Sequence, residues 1–204
     1  YPEDYLCEYP RTKALAEKLV IEANGQDLAT VSLRPHLIWG PGDPHLIPRL
    51  LAKADKGRLV RVGKGENKVD IIYIDNAVHA HLKACDALGF GKPTAGKVYF
   101  VSDGEPVNLW EWINEVLKKT NRVPVSRSIS YRTASRLGCF FESIYNWANI
   151  KNEPLMTRFL ASQLATSHYF NISRARKDLG YEPVVSPDEG LHRLIQSLSN
   201  PQEY

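Results

Sequence analysis

Tyr9 and Lys13 stand four residues apart at the head of the stretch YPRTKALAEKLVIEAN, residues 9–24. Ala14, Leu15, Ala16, Leu19, Val20 and Ala23 recur there at helical spacing, which predicts a helix. Residues i and i+4 share a helix face, so the phenol and the ammonium point the same way. A free tyrosine titrates near pH ~10, and a fixed positive charge a few ångströms away favours the phenolate. Such a pair can exchange a proton with an alcohol or carbonyl oxygen, a role worth about 10² to 10⁴ in rate. The 204 residues hold 10 tyrosines and 13 lysines, so about 0.6 such spacings arise by chance. The pair alone does not separate a catalytic couple from an ordinary surface helix.

The elements around the pair decide where it can act. Gly25 offers the helix a stop, and the β-branched, apolar run Thr30–Arg34 reads as a strand closed by Pro35. A helix passing into such a strand is the rhythm of a parallel α/β sheet, whose ligands sit beyond the carboxyl ends of the strands. RPHLIWGPGD, residues 34–43, lies at such an end, with Gly40-Pro41-Gly42 forming a tight turn. The turn could lay backbone against a flat ligand, or serve the fold alone.

Further on, residues 45–57 form a helix with Pro48 in its first turn, and Gly63-Lys64-Gly65 reads as a hairpin turn. A phosphate loop is the poorer reading there, because no Lys-Ser/Thr ending or apolar helix follows. VDIIYI, residues 69–74, is a strand, and Asp75 is placed to cap the helix of residues 76–88. His79 and His81 are two apart, so they cannot share a metal in the i, i+4 manner and read as packing and surface residues. Residues 97–102 form a strand, and Asn108 caps an amphipathic helix whose Trp110, Ile113, Val116 and Leu117 face inward. Between Tyr131 and Ile150, Leu137, Phe140, Phe141, Ile144 and Tyr145 have the spacing of a core-packing helix. A lid or a membrane-touching face is the alternative. Residues 154–165, 173–179 and 187–198 are the remaining helices.

Composition excludes several classes. With 43% hydrophobic and 24% charged residues and a net charge of +3, the chain has an ordinary globular composition and no nucleic-acid footprint. Cys7, Cys85 and Cys139 are odd in number and scattered, so they read as thiols of a reducing, cytoplasmic compartment rather than a disulfide frame or zinc site. No apolar run is long enough to span a membrane. The expectation is a soluble chain, with peripheral membrane contact left open.

Taken in order, these motifs resemble the extended short-chain dehydrogenase/reductase superfamily, most closely its 3-beta-hydroxysteroid dehydrogenase and sterol-4-alpha-carboxylate 3-dehydrogenase branch. The marks are Tyr9-Pro10-x-x-Lys13, Arg34-Pro35 with Gly40-Pro41-Gly42-Asp43, residues 69–76 as VDIIYIDN with Ala80-His81-Leu82, Tyr99-Phe100, Ser102-Asp103, and Asp178-Leu179-Gly180-Tyr181-x-Pro183. The resemblance implies an α/β fold: the C-terminal part of a Rossmann-type parallel sheet with a smaller α+β substrate-binding region. Residues 1–43 and 89–122 would be late elements of the dinucleotide-binding domain, and residues 44–88 and 123–204 mainly the substrate-binding region.

It further implies an NAD(P)-dependent oxidoreductase interconverting a secondary alcohol and a ketone on an apolar, steroid- or sterol-like substrate. Tyr9 would carry the proton, Lys13 would lower its pKa and bind the nicotinamide ribose, and Pro35, His36 and Leu37 would lie beside the nicotinamide. No metal is implied, and a homodimer is left open. Sugar-nucleotide epimerases and reductases of the same superfamily usually place an arginine just before the Asp-aromatic strand, where Val69 stands here, which favours an apolar substrate. A non-catalytic binding protein on this fold is the third reading. The superfamily's Gly-rich loop and upstream serine are not among these residues. The expectation is therefore the C-terminal portion of a longer enzyme, without useful NAD(P) affinity on its own.

Overall fold

The computed structural model describes residues 1–200. In chain order the elements are α1 (Glu8–Glu22), β1 (Val31–Pro35), β2 (Ile38–Trp39), α2 (Leu46–Asp55), β3 (Arg61–Val62), β4 (Lys68–Val69), β5 (Ile72–Tyr73) and α3 (Ile74–Ala87). They continue with β6 (Lys97–Val101), β7 (Val107–Asn108), α4 (Leu109–Lys119), β8 (Ser128–Ile129), α5 (Tyr131–Trp147), α6 (Arg158–Ala165), α7 (Ser173–Leu179) and α8 (Pro187–Ser199). The described chain falls into two compact units, residues 1–49, 70–106 and 169–200, and residues 50–69 and 107–168.

In the first unit β1 and β6 pair in parallel, with Arg34 opposite Phe100 and Pro35 opposite Val101. On one face, Tyr99 and Val101 pack with Ala77, Ala80 and Ala84 of α3 and with Ala175 and Leu179 of α7. Alanines along α3 let the helix come close to the strands, and this small-residue face is what draws residues 70–87 and 169–179 to β1 and β6. β2 and β5 pair in parallel, and the buried rings of Trp39 and Tyr73 meet edge to face at 5.3 Å.

The start of α3 differs from expectation. Asp75 is not its cap: the helix begins at Ile74 with Tyr73 at the N-cap position. The Tyr73 N–H donates to the Asp103 carboxylate at 3.0 and 3.1 Å, so a remote acid terminates the strand while Asp75 pairs with Arg193 at 3.2 Å. Asn76 joins the same knot, donating to Asp103 at 2.7 Å and accepting from Val184 and Val185 at 2.8 and 2.9 Å.

In the second unit α4 forms as its sequence requires. The Asn108 side chain accepts from Trp110 and Glu111, and Trp110, Ile113, Val116 and Leu117 are buried. The Trp110 indole donates to the Leu164 carbonyl at 3.1 Å, tying α4 to the end of α6. Residues 107–122 lie in this unit, and residues 70–88 and 169–200 lie in the first.

Gly63-Lys64-Gly65 turns the chain but makes no hairpin, because β3 pairs in parallel with β8 and β4 pairs antiparallel with β7. The core-packing expectation for α5 is met only in part. Leu137, Phe140 and Ile144 are exposed, Phe141 and Tyr145 are half-buried, and the fully buried positions are the small Ala134 and Gly138. A Cβ on Gly138 would stand 2.6 Å from the Arg158 nitrogen, so α5 and α6 approach closely only where a side chain is missing. Among the described residues, no helix is long and apolar enough to cross a membrane.

Candidate active site

Tyr9 is the second residue of α1, and Lys13 follows one turn later. The Lys13 ammonium lies 5.8 Å from the centroid of the Tyr9 ring, so the pair shares a face as its spacing predicts. Both side chains are exposed, Tyr9 by 65%. Most apolar residues of α1 also face outward: Leu15, Leu19 and Val20 are 50%, 59% and 43% exposed. The one buried residue of this helix is an acid, Glu17.

The connection from α1 to β1 sets the pair's place along the strand. Gly25 donates to the Leu28 carbonyl at 2.8 Å and Thr30 donates to the Asn24 side chain at 3.0 Å, closing a short reversal between helix and strand. Gly25 is not the helix cap; Ala23 is, in a right-handed conformation. Helix and strand joined this way run in opposite directions, so the start of α1 lies toward the carboxyl end of β1. Pro35, His36 and Leu37 occupy that end.

The His36 ring meets the edge of Phe170 at 5.3 Å. Leu37 takes a left-handed backbone, φ 47°, and its carbonyl accepts from the Ile72 amide at 3.2 Å. A non-glycine residue held there costs on the order of 1 kcal/mol, and such strain concentrates at ligand sites. The turn beyond is also constrained. A Cβ on Gly40 would stand 2.7 Å from Ile74 Cγ2, and Asp43 then caps α2, accepting from the amides of His45, Leu46 and Ile47 at 2.8, 3.1 and 2.7 Å.

Two residues that the sequence did not single out as site residues join these pieces. Arg34 Nε donates to Glu17 Oε2 at 2.8 Å and Nη2 to Oε1 at 2.5 Å, and Ser32 Oγ donates to Oε2 at 2.9 Å. The Tyr1 hydroxyl donates to Oε1 as well. The Arg34 guanidinium, with help from Tyr1 and Ser32, holds the Glu17 carboxyl down at about 2, against the opposing effect of burial. The only signal in the sequence is an acid interrupting an apolar stripe, four residues after Lys13. Elsewhere, burial pushes the Asp103 carboxyl up, in spite of its bonds from Asn76 and Tyr73.

His79 tilts over Tyr181 and His81 bonds the Ala77 carbonyl at 2.7 Å, so both are used in packing. Among the described residues no three His, Cys, Asp or Glu side chains gather as metal ligands.

A family-wide sequence model described as 3-beta hydroxysteroid dehydrogenase/isomerase matches residues 1–131. The chain belongs to the 3-beta hydroxysteroid dehydrogenase/isomerase family. The match takes in Tyr9, Lys13, the Glu17–Arg34 pair and the Pro35–Leu37 segment. Among this family member's curated relatives, a 2-alkyl-3-oxoalkanoate reductase of Stenotrophomonas maltophilia is 50% identical over 97% of the chain. Another of that name from Shewanella oneidensis is 44% identical over 97%. A decarboxylating sterol-4-alpha-carboxylate 3-dehydrogenase of Mus musculus is 33% identical, again over 97%.

The chain spans 60%, 53% and 55% of those three proteins' lengths. Of the solved structures, a Streptomyces venezuelae dTDP-glucose 4,6-dehydratase with NAD bound superposes with a TM-score of 0.68, covering all of this chain and 54% of that one at 18% identity. MoeE5 in complex with UDP-glucose and NAD gives 0.66 over 98% of this chain and 58% of that one, at 20% identity. At those identities the likeness establishes the α/β, Rossmann-type fold alone.

Proposed function

We propose that this chain supplies the proton-transfer half of an NAD(P)-dependent oxidoreductase that interconverts a secondary alcohol and a ketone. The observation that carries the reading is the Tyr9–Lys13 pair, on one face of α1 at the carboxyl end of the parallel strand β1. In the reducing direction the Tyr9 hydroxyl gives its proton to the carbonyl oxygen of the substrate, and in the oxidising direction the phenolate accepts it back. Lys13 holds its charge on the phenol's face of α1. Bound NAD(P) would supply or receive the hydride.

The residues present fit the nicotinamide end of that cofactor. Lys13 offers an exposed ammonium for ribose hydroxyls, and the Pro35–Leu37 segment offers a backbone held in an unusual conformation beside which a flat ring could lie. The division into a cofactor-side part, residues 1–43 and 89–122, and a substrate-side part belongs to the same reading.

The relatives' names narrow the substrate. A 2-alkyl-3-oxoalkanoate carries its carboxylate on the carbon next to the ketone, and a sterol 4-carboxylate carries one next to the C3 alcohol. Both are 3-oxo or 3-hydroxy acids with an apolar body. We take that as the substrate class, with steroid-like and long-alkyl bodies as its two variants. A sugar-nucleotide epimerase or reductase is the competing reading, favoured by the bound sugar nucleotides of the fold neighbours alone.

A substrate panel on the full-length protein separates them. NAD(P)-linked turnover of 2-alkyl-3-oxo or 3-hydroxy acids, with none on UDP- or dTDP-sugars, is expected. The reverse pattern would overturn the assignment.

A further inference from the structure

Tyr9, Lys13 and Glu17 follow one another at intervals of four along α1. They therefore lie on one line of the helix surface, with the first two exposed and the third 9% exposed. Glu17 is where this line meets the sheet. Its two oxygens are both occupied by the fork of Arg34, and one of them also by Ser32. A forked guanidinium on a carboxylate fixes direction as well as distance, which a lysine or an apolar contact cannot do.

Arg34 is itself held from another side. Its guanidinium carbon lies 5.0 Å from the centroid of Phe100, which stacks on Phe170 at 4.0 Å and 5°, and the Phe170 ring meets His36. Arg34 also immediately precedes Pro35. One ion pair is thus shared by both pieces of the candidate site, the helix that carries the phenol and ammonium and the strand end that carries Pro35, His36 and Leu37.

On the same side of α1, Ala14 and Ile21 are half-buried three and four residues from Glu17, and the Asn24 side chain accepts from Thr30 beyond the helix end. Those contacts are small, apolar or terminal; among the α1 side chains Glu17 is the one whose bonds to β1 fix direction in the middle of the helix. A slide of one residue moves a helix about 1.5 Å along its axis and turns it by about 100°. A misplacement of about 1 Å at a reacting group is enough to cost about 10² in rate.

We propose that Glu17 is a positioning residue: its bidentate pair with Arg34 sets the rotation and axial placement of α1 on β1, and so sets where Tyr9 and Lys13 meet the Pro35–Leu37 segment. This rests on the reading of Tyr9 as the proton-transfer group. Glu17 touches neither Tyr9 nor the substrate in this role; it acts through the helix.

The test uses the full-length protein with its cofactor and a 3-oxo acid substrate, comparing wild type, Glu17→Gln, Ser32→Ala, Arg34→Lys and Tyr9→Phe. Glu17→Gln keeps the shape but lacks the charge, and is expected to lower kcat 10- to 100-fold with substrate KM within about threefold. The loss should appear in kcat and leave the pH profile where it is, because Tyr9 and Lys13 travel together on α1 and their spacing does not depend on Glu17. Ser32→Ala, which leaves the ion pair in place, should show the same changes in smaller degree, and Arg34→Lys should fall between.

A Glu17→Gln enzyme with kcat within twofold of wild type overturns the proposal. If Glu17→Gln does not fold, an unchanged kcat in both Ser32→Ala and Arg34→Lys overturns it equally. Loss of activity in Tyr9→Phe beside a normal Glu17→Gln sinks the positioning role alone, whereas full activity in Tyr9→Phe sinks the reading beneath it.

Discussion

The Lys13 ammonium stands 5.8 Å from the centre of the Tyr9 ring, one helical turn away on the same face of α1. That places a fixed positive charge on the helix face from which the phenol would exchange its proton. Lys13→Met in the full-length enzyme should therefore lower kcat by about 10² or more. Because Lys13 is also the group proposed to hold the nicotinamide ribose, the cofactor KM should rise as well. Steady-state kinetics check both effects, and Lys13→Arg should recover part of the loss.

Glu17 and Asp103 make opposite contributions to acid stability. The Glu17 carboxyl is held at about 2 in the fold against an ordinary 4.5. Its contribution is complete above about pH 4.5 and is lost as pH falls toward 2. The linkage amounts to up to about 3 kcal/mol, reduced by the water that reaches the 36%-exposed Arg34 side chain. Asp103 is raised by burial. Its contribution is complete below the ordinary carboxylate range and is lost as pH rises through its folded value. Denaturant unfolding followed from pH 6 to pH 3 should show a steep acid loss that Glu17→Gln flattens.

The packing of α8 gives a purely steric prediction. A Cβ on Gly190 would stand 2.7 Å from Tyr73 Cδ2 and 3.1 Å from Trp39 Cη2, inside a buried aromatic pair. Gly190→Ala should cost about 1–3 kcal/mol by overpacking and lower Tm by several degrees. Gly25 has nothing within 4 Å of its Cβ position. Gly25→Ala should be neutral or stabilise by up to about 1 kcal/mol through the unfolded chain. Thermal unfolding of the two variants side by side checks the contrast.

How much of this was legible in the sequence depended on which residue types did the packing. α4 could be read in full, because an Asn cap and large inward side chains at helical spacing are what the structure uses. The helix of α5 was legible but its facing was not: periodicity places Leu137, Phe140 and Ile144 inside, whereas the close approach to α6 demands small residues, Ala134 and Gly138. Asp75 looked like a cap, yet the helix starts one residue earlier with no side-chain cap, and Asp103, far away in sequence, accepts from the Tyr73 amide instead. The Tyr9–Lys13 pair followed directly from spacing. Glu17 did not, since an acid in an apolar stripe reads as surface until the strand opposite is seen to supply Arg34 and Ser32.

The central claim is that the Tyr9 hydroxyl carries the proton. Its most direct measurement is kcat for Tyr9→Phe in the full-length enzyme on a 3-oxo acid, with cofactor affinity measured alongside. The account predicts a fall in kcat of about 10² to 10⁴ with cofactor Kd within about threefold of wild type. A Tyr9→Phe enzyme that turns over at the wild-type rate would contradict it.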